Sequence, residues 1–263
     1  MRASVNGCEI HYEREGEGPA LVLIHAGIAD SRMWQPQVDA MADRFDIIRP
    51  DLRGFGKSSL PRAPFAFRHD IIGLLDHLEV DRFALVGCSM GGSTCLDLAI
   101  DNPGRVSHLV LVAAGISGAN FGEADAHLFE PVEVAEREGD MEAVNEAEVR
   151  LWVDGPQRPA GYTRGPVRDL ALDMNRVALA SAWEGIVNQP LDPPAIGRLP
   201  EVGAPTLVVV GDEDLPHARV AADHLVAHIP GARLERIADA AHLPSLERPE
   251  IFNRLLLDFL TRS

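Results

Sequence analysis

In the segment Phe83-Ala84-Leu85-Val86-Gly87-Cys88-Ser89-Met90-Gly91-Gly92 an apolar strand pattern runs into Gly-x-Ser-x-Gly, and a helical pattern follows from Ser93 to Ile100. A serine on a sharp turn between strand and helix has a strained backbone and an exposed hydroxyl, which makes Ser89 a candidate nucleophile. The flanking glycines leave room for neighbouring backbone. The start of the helix near Met90 brings its positive dipole end to the place where an oxyanion would form. The bland reading of the same pentad is a tight glycine-rich turn; the strand before it and the helix after it favour the nucleophile. Cys88 occupies the variable position of the pentad, where a buried small apolar residue is expected.

A serine hydroxyl needs a base, and the base needs a group that fixes its tautomer. Of the ten histidines, His242 lies in Ala238-Asp239-Ala240-Ala241-His242-Leu243-Pro244, between the last strand pattern and the final helix. From such a loop it could reach the carboxyl edge of a sheet. His25 follows a buried strand and is expected to hydrogen-bond locally. His224 and His228 share a helical face, but no acidic third ligand is suitably placed, so no metal site is expected. The orienting acid is sought at a neighbouring strand end, where Val210-Gly211-Asp212-Glu213-Asp214 offers three carboxylates. Asp214 is favoured because the turn gives it room to point toward the histidine, whereas the first acids after a glycine turn more often face solvent or cap a helix. Asp212 and Glu213 stay as alternatives.

These residues must be held by a scaffold, and the pattern between them supplies one. Strand patterns recur at Ser4 to Val5, Glu9 to Tyr12, Leu21 to His25, Asp46 to Arg49, Phe83 to Val86, Leu109 to Ala113, Thr206 to Val210 and Arg233 to Ile237. Several are continuous apolar runs, as in parallel strands buried on both faces. Helical patterns at Gln35 to Ala42, Arg68 to Leu78, Gly91 to Ile100, Val220 to Ile229 and Pro249 to Leu260 alternate with them. The alternation predicts an α/β fold, a doubly wound, mostly parallel eight-stranded sheet with helices on both faces. Asn6-Gly7 is a two-residue hairpin signal, so the first two strands should be antiparallel and at the edge.

The rhythm breaks between about Gly118 and Leu199. Helical stretches at Glu130 to Glu138, Met141 to Val153 and Pro166 to Trp183 occur there without a strand, and Pro190, Pro193, Pro194 and Pro200 mark the return. This reads as a core of residues 1–118 and 199–263 with a helical lid over 119–198. Leu128, Phe129, Leu151, Trp152, Leu170, Met174 and Val177 are spaced to present apolar faces to a pocket, although contact with the core is the commoner fate of such residues.

The 263 residues suffice for one large domain with an insertion. With 24 Lys plus Arg against 40 Asp plus Glu the net charge is −16, which repels nucleic acid and anionic membranes at long range and leaves a small neutral substrate as the easier partner. The segment Met1 to Glu17 has no apolar block of the signal-peptide kind, so cytoplasmic residence is the default expectation. Three cysteines, Cys8, Cys88 and Cys95, are an odd number without metal spacing. No dinucleotide fingerprint or P-loop is present, so no cofactor is implied.

Together these segments resemble the α/β-hydrolase superfamily, from about Glu9 to Leu260. The resemblance rests on the Ser89 pentad, Ile24-His25-Ala26-Gly27 with Trp34 following, Asp51-Leu52-Arg53-Gly54-Phe55-Gly56-Lys57-Ser58, Pro205-Thr206-Leu207 through Asp214, and the His242 loop. It implies a triad in the chain order Ser89, Asp214, His242 and an oxyanion hole from the backbone N–H groups of Met90 and Gly27. Ala26 stands where relatives commonly carry glycine. Ile28, Trp152, Leu215 and Leu243 are expected to line the substrate pocket. The Asp51 to Ser58 segment is expected to shape a loop, tied down through Arg53, and Trp34 and Trp183 to pack.

Serine at the elbow, where dehalogenase and epoxide-hydrolase relatives carry aspartate, implies acyl transfer through a covalent ester. The layout is similar to carboxylesterases and 3-oxoadipate enol-lactonases, so the expected substrate is a small carboxylic ester or lactone. Carbon–carbon bond hydrolases and cofactor-free haloperoxidases or perhydrolases share the triad and stay open. A non-catalytic small-molecule receptor on the same fold is the reading of another class. Oligomeric state is not legible.

Overall fold

The eight expected strands form one sheet, in the order β1-β2-β4-β3-β5-β6-β7-β8: β1 (Arg2–Val5), β2 (Cys8–Glu15), β3 (Ala20–Ile24), β4 (Asp46–Pro50), β5 (Phe83–Cys88), β6 (Val106–Val112), β7 (Thr206–Gly211) and β8 (Arg233–Ile237). The computed structural model describes residues 1–181, 183 and 186–261. β1 and β2 are antiparallel, joined at Asn6 and Gly7, which both take positive φ as a two-residue hairpin requires; β2 is also antiparallel to β4, and every pair from β4 to β8 is parallel.

Period-two alternation in the central strands feeds two cores. Val22 and Ile24, Leu85, Leu109 and Leu111, and Val208 and Val210 face one side, which is covered by α2 (Phe67–His77), α3 (Met90–Asp101) and α7 (Pro216–His228). Leu21 and Leu23, Val86, Val110 and Val112, and Leu207 and Val209 face the other, beneath α1 (Gln35–Met41) and α9 (Pro249–Leu260). Both faces are dry, which is why these strands read as continuous apolar runs rather than alternating ones.

Between β6 and β7 the helical stretches expected from the sequence are α4 (Glu130–Glu138), α5 (Met141–Val149) and α6 (Pro166–Leu179). The helix expected to run from Met141 to Val153 instead ends at Val149 and widens into one π-helical turn, Arg150–Asp154, closed by Gly155 at φ 88°. The helix expected to reach Trp183 stops at Leu179, and of the remainder Ala182 lies outside the described residues. A 3₁₀ segment, Glu123–Phe129, and the four-residue α8 (Pro244–Glu247) were not legible as periodic patterns. Among the described residues no helix is long and apolar enough to cross a membrane.

The Asp51 to Ser58 loop is pinned as expected. Arg53 is buried and forms a bidentate pair with Asp70 of α2, Nε to Oδ2 at 2.7 Å and Nη2 to Oδ1 at 2.9 Å. Asp51 accepts from the backbone N–H groups of Ser31 and Lys57, both at 2.9 Å. His25 is fully buried, its Nδ1–H donating to the Ala26 carbonyl at 2.8 Å and its Nε2 accepting from the Leu52 N–H at 2.9 Å. Burial pushes its pKa down. The imidazole is thus a neutral bridge between two loops.

The order β4-β3-β5 is the point at which the winding of the sheet reverses, and the loops leaving β3 and β5 meet there. Ile24 pairs with Gly87, and α3 then crosses so close to the end of β3 that a Cβ on Gly91 would sit 2.4 Å from the His25 carbonyl oxygen and 2.5 Å from that of Ile24. Both obstacles are backbone. Gly91→Ala should therefore cost stability on the order of 1–3 kcal/mol, read as a lower urea midpoint at unchanged slope; an unchanged midpoint would show that the crossing can relax.

Candidate active site

Ser89 links β5 to α3 at φ 53° and ψ −115°, a conformation that non-glycine residues rarely hold. Its N–H donates to the Val112 carbonyl of β6 at 2.8 Å and its carbonyl accepts from Ser93 at 2.9 Å, so the turn is fixed from both sides and the half-buried side chain faces a cavity. The N–H of Met90 is at the first position of α3, and Gly27 packs against the Met90 side chain, a Cβ there lying 3.8 Å from Met90 Cβ. The two backbone segments assigned to an oxyanion hole are therefore neighbours. Cys88 lies fully buried behind the turn, its thiol pushed well up by burial.

Asp214 is the carboxylate brought to the histidine. It is buried, with His242 Nδ1 at 2.8 Å from Oδ1 and 3.0 Å from Oδ2, and Oδ1 also accepts from the Leu215 N–H at 2.7 Å. Asp212 is exposed and Glu213 half-buried; their N–H groups bind the Ile237 and Ala240 carbonyls, and among the described residues neither carboxylate is bonded to His242. A carboxylate only accepts, so the hydrogen bond assigns a proton to Nδ1 of His242, and in the neutral ring Nε2 is then the acceptor. That Nε2 is buried and has no hydrogen-bond partner among the described residues. The loop reaches the site by folding back over β7, where a Cβ on Gly211 would lie 2.2 Å from the carbonyl oxygens of Ala240 and Ala241.

Ser89 and His242 open on one cavity of about 400 Å³, within the range of small-molecule sites. Its wall includes Ala113 to Ile116 after β6, Phe121, Trp152 and His217. The Trp152 ring stands 4.4 Å from that of His242, and its carbonyl accepts the His242 N–H at 3.1 Å.

Three of the residues expected in the pocket are elsewhere. Ile28 and Leu243 are buried in the core beneath α1 and α9, and Leu215 is fully buried at the start of α7, where its N–H faces Asp214. The wall comes instead from small residues after β6, from Ala119 to Gly122 ahead of the 3₁₀ segment, and from the start of α7, none of which carries a signal for a pocket in its sequence. Of the apolar residues between 119 and 198, Leu151 and Met174 are buried and Val177 faces solvent. Trp34 is fully buried, and Trp183 packs on Phe55, Phe65 and Phe67. His224 and His228 stack on one another with ring centroids 4.0 Å apart; no group of three or more metal-binding side chains occurs among the described residues.

The profile of the alpha/beta hydrolase fold matches residues 19–249. The chain belongs to this family. It is 28% identical over 249 residues to 3-oxoadipate enol-lactonase 2 of Acinetobacter baylyi, covering 91% of this chain and 87% of that protein. It is 30% identical to 2-hydroxy-6-oxo-6-phenylhexa-2,4-dienoate hydrolase of Comamonas testosteroni, covering 95% and 91%. The crystal structure of the enol-lactonase from Burkholderia xenovorans superimposes with a TM-score of 0.80 over 100% of both chains, at 31% identity.

Sequence reasoning missed Glu247, which is buried five residues beyond His242. Burial pushes its carboxyl from an ordinary 4.5 up to about 7, against the pull of the Ala241 and Leu243 N–H groups and of Arg158. The folded protein holds this proton more tightly than the unfolded chain does. The group's contribution to stability is therefore fully present below about pH 4.5 and is lost as pH rises through about 7. Across that window the wild type should fall relative to Glu247→Gln by on the order of 3 kcal/mol in urea denaturation. A difference independent of pH would refute the shift.

Proposed function

We propose that this hydrolase cleaves a small carboxylic ester or lactone through a covalent acyl-enzyme. The observation that carries the reading is the buried Asp214–His242 pair, which leaves Nε2 as a free base at the wall of the cavity that Ser89 enters. In this mechanism Nε2 takes the Ser89 proton as Oγ attacks the carbonyl carbon. The N–H groups of Met90 and Gly27 stabilise the oxyanion. The imidazolium, held by Asp214, then passes the proton to the leaving alkoxide as the ester bond breaks. Water attacks the acyl-serine with His242 again as base, releasing the acid and restoring the serine. In a lactone the leaving alkoxide stays tethered to the acyl group, so one product results.

Support for the bond type comes from the enol-lactonase relatives and from the apolar wall, which suits an uncharged acyl chain. The similarity to a dienoate hydrolase keeps carbon–carbon cleavage as the second reading on the same triad. We assign residues 119–198 the role of a lid, with Trp152 as its contact with substrate.

Purified protein should hydrolyse short p-nitrophenyl esters or simple lactones and take up one organophosphonate per chain at Ser89, and Ser89→Ala should stay folded with turnover reduced by on the order of 10⁴-fold or more. Labelling at another residue, or persistent turnover in the alanine variant, would remove Ser89 as nucleophile. For the lid, Trp152→Ala should change the ratio of kcat/KM between small and bulky acyl groups by roughly tenfold, because the carbonyl that holds His242 is retained. A lower Tm with that ratio unchanged would make Trp152 a packing residue only.

A further inference from the structure

Three consecutive peptide N–H groups around the candidate base are each held from beyond the turn that carries them. The Ala241 N–H donates to Glu247 Oε2 at 2.8 Å and the Leu243 N–H to Glu247 Oε1 at 3.0 Å, while the His242 N–H donates to the Trp152 carbonyl. One carboxylate thus brackets the histidine, an oxygen on either side. Its side chain is only 3% exposed. Two converging N–H donors call for two acceptors on one short side chain, and only an ionised carboxylate supplies them without presenting a donor of its own.

We infer that Glu247 is a positioning residue for the reaction: by accepting from the N–H groups on both sides of His242 it fixes the imidazole against Asp214 and toward Ser89. The inference rests on His242 being the base. Packing alone would not select this residue, because burying a charge opposes folding, and the opposing Arg158 guanidinium stands 3.9 Å away through Nη1 while its Nη2 is paired with Asp239 at 2.7 Å. Ionisable groups perturbed by burial cluster at functional sites.

The hold has a pH dependence. When Glu247 is protonated one oxygen carries a hydrogen and becomes a much weaker acceptor for its peptide N–H; ionisation through about pH 7 restores both bonds at full strength. The charged and titratable groups facing it are Arg158 from the loop after the π-helical turn, Asp214 after β7 and Cys88 on β5. On its own segment lie His242, Asp239 and Arg248, the last two paired with each other.

The test uses the full chain, a p-nitrophenyl ester, and organophosphonate titration to count active sites. At pH 8 Glu247→Gln should lower kcat per titrated site by on the order of 10²-fold, the effect expected of a catalytic group displaced by about an ångström. KM should stay within about twofold. The deficit should shrink toward pH 6, where protonation has also weakened the wild type's second acceptor. Glu247→Asp restores two acceptor oxygens and should recover part of kcat. Wild-type kcat in the glutamine variant, a deficit independent of pH, or an aspartate variant no better than glutamine would each overturn the inference. His242→Ala is the control: if it retains turnover, the assignment of the base fails, whereas an inactive His242→Ala beside a fully active Glu247→Gln defeats the positioning role alone.

Discussion

The close crossing of α3 over the end of β3 is the constraint on which the site depends. Two backbone carbonyls lie where a Cβ of Gly91 would be, so only hydrogen fits, and with it the helix start can approach the loop that follows β3. That approach brings Met90 beside Gly27, and Ser89, one residue before it, holds its unusual backbone geometry. Strain at Ser89 is therefore not a local preference of serine. It sits beyond a parallel pair, Ile24 with Gly87, whose register the apolar strands enforce through burial on both faces.

The other half of the site is held by polar groups in a dry environment. Asp214 is buried after β7 and takes hydrogen bonds from Leu215 and His242, and the His242 loop is tied by Glu247 and the Trp152 carbonyl. Each of these bonds replaces water that burial has removed, so leaving one unmade would carry the full desolvation penalty. The arrangement is rigid for that reason. Arg158 adds a cation to a cluster of Glu213, Asp239 and Glu247 that would otherwise repel.

The helical segment between β6 and β7 reaches into the site. Its π-helical turn, Arg150–Asp154, places the Trp152 ring beside the imidazole and the Trp152 carbonyl on the His242 backbone at once. Such single widened turns are frequent at functional sites. Arg158, a few residues on, reaches the same loop. Cavity wall and candidate base are thereby coupled through a short stretch of chain.

The sequence by itself determined the eight strands, their order of appearance, the core helices, and Ser89 and His242 as the residues to watch, because these depend on short-range periodicity and on turn chemistry within a few residues. It narrowed the acid to three neighbours, and Asp214 was favoured on turn geometry. Only the tertiary structure decided which wall the cavity has, sending Ile28, Leu215 and Leu243 into the core and bringing small residues after β6 to the surface of the pocket. It also decided that Glu247 faces back toward His242 rather than outward to solvent. Apolar and acidic side chains carry no mark of their neighbours; whether a leucine meets substrate or core, and whether a glutamate meets water or two peptide N–H groups, follows from contacts between segments distant in the chain or from a helix too short to leave a period.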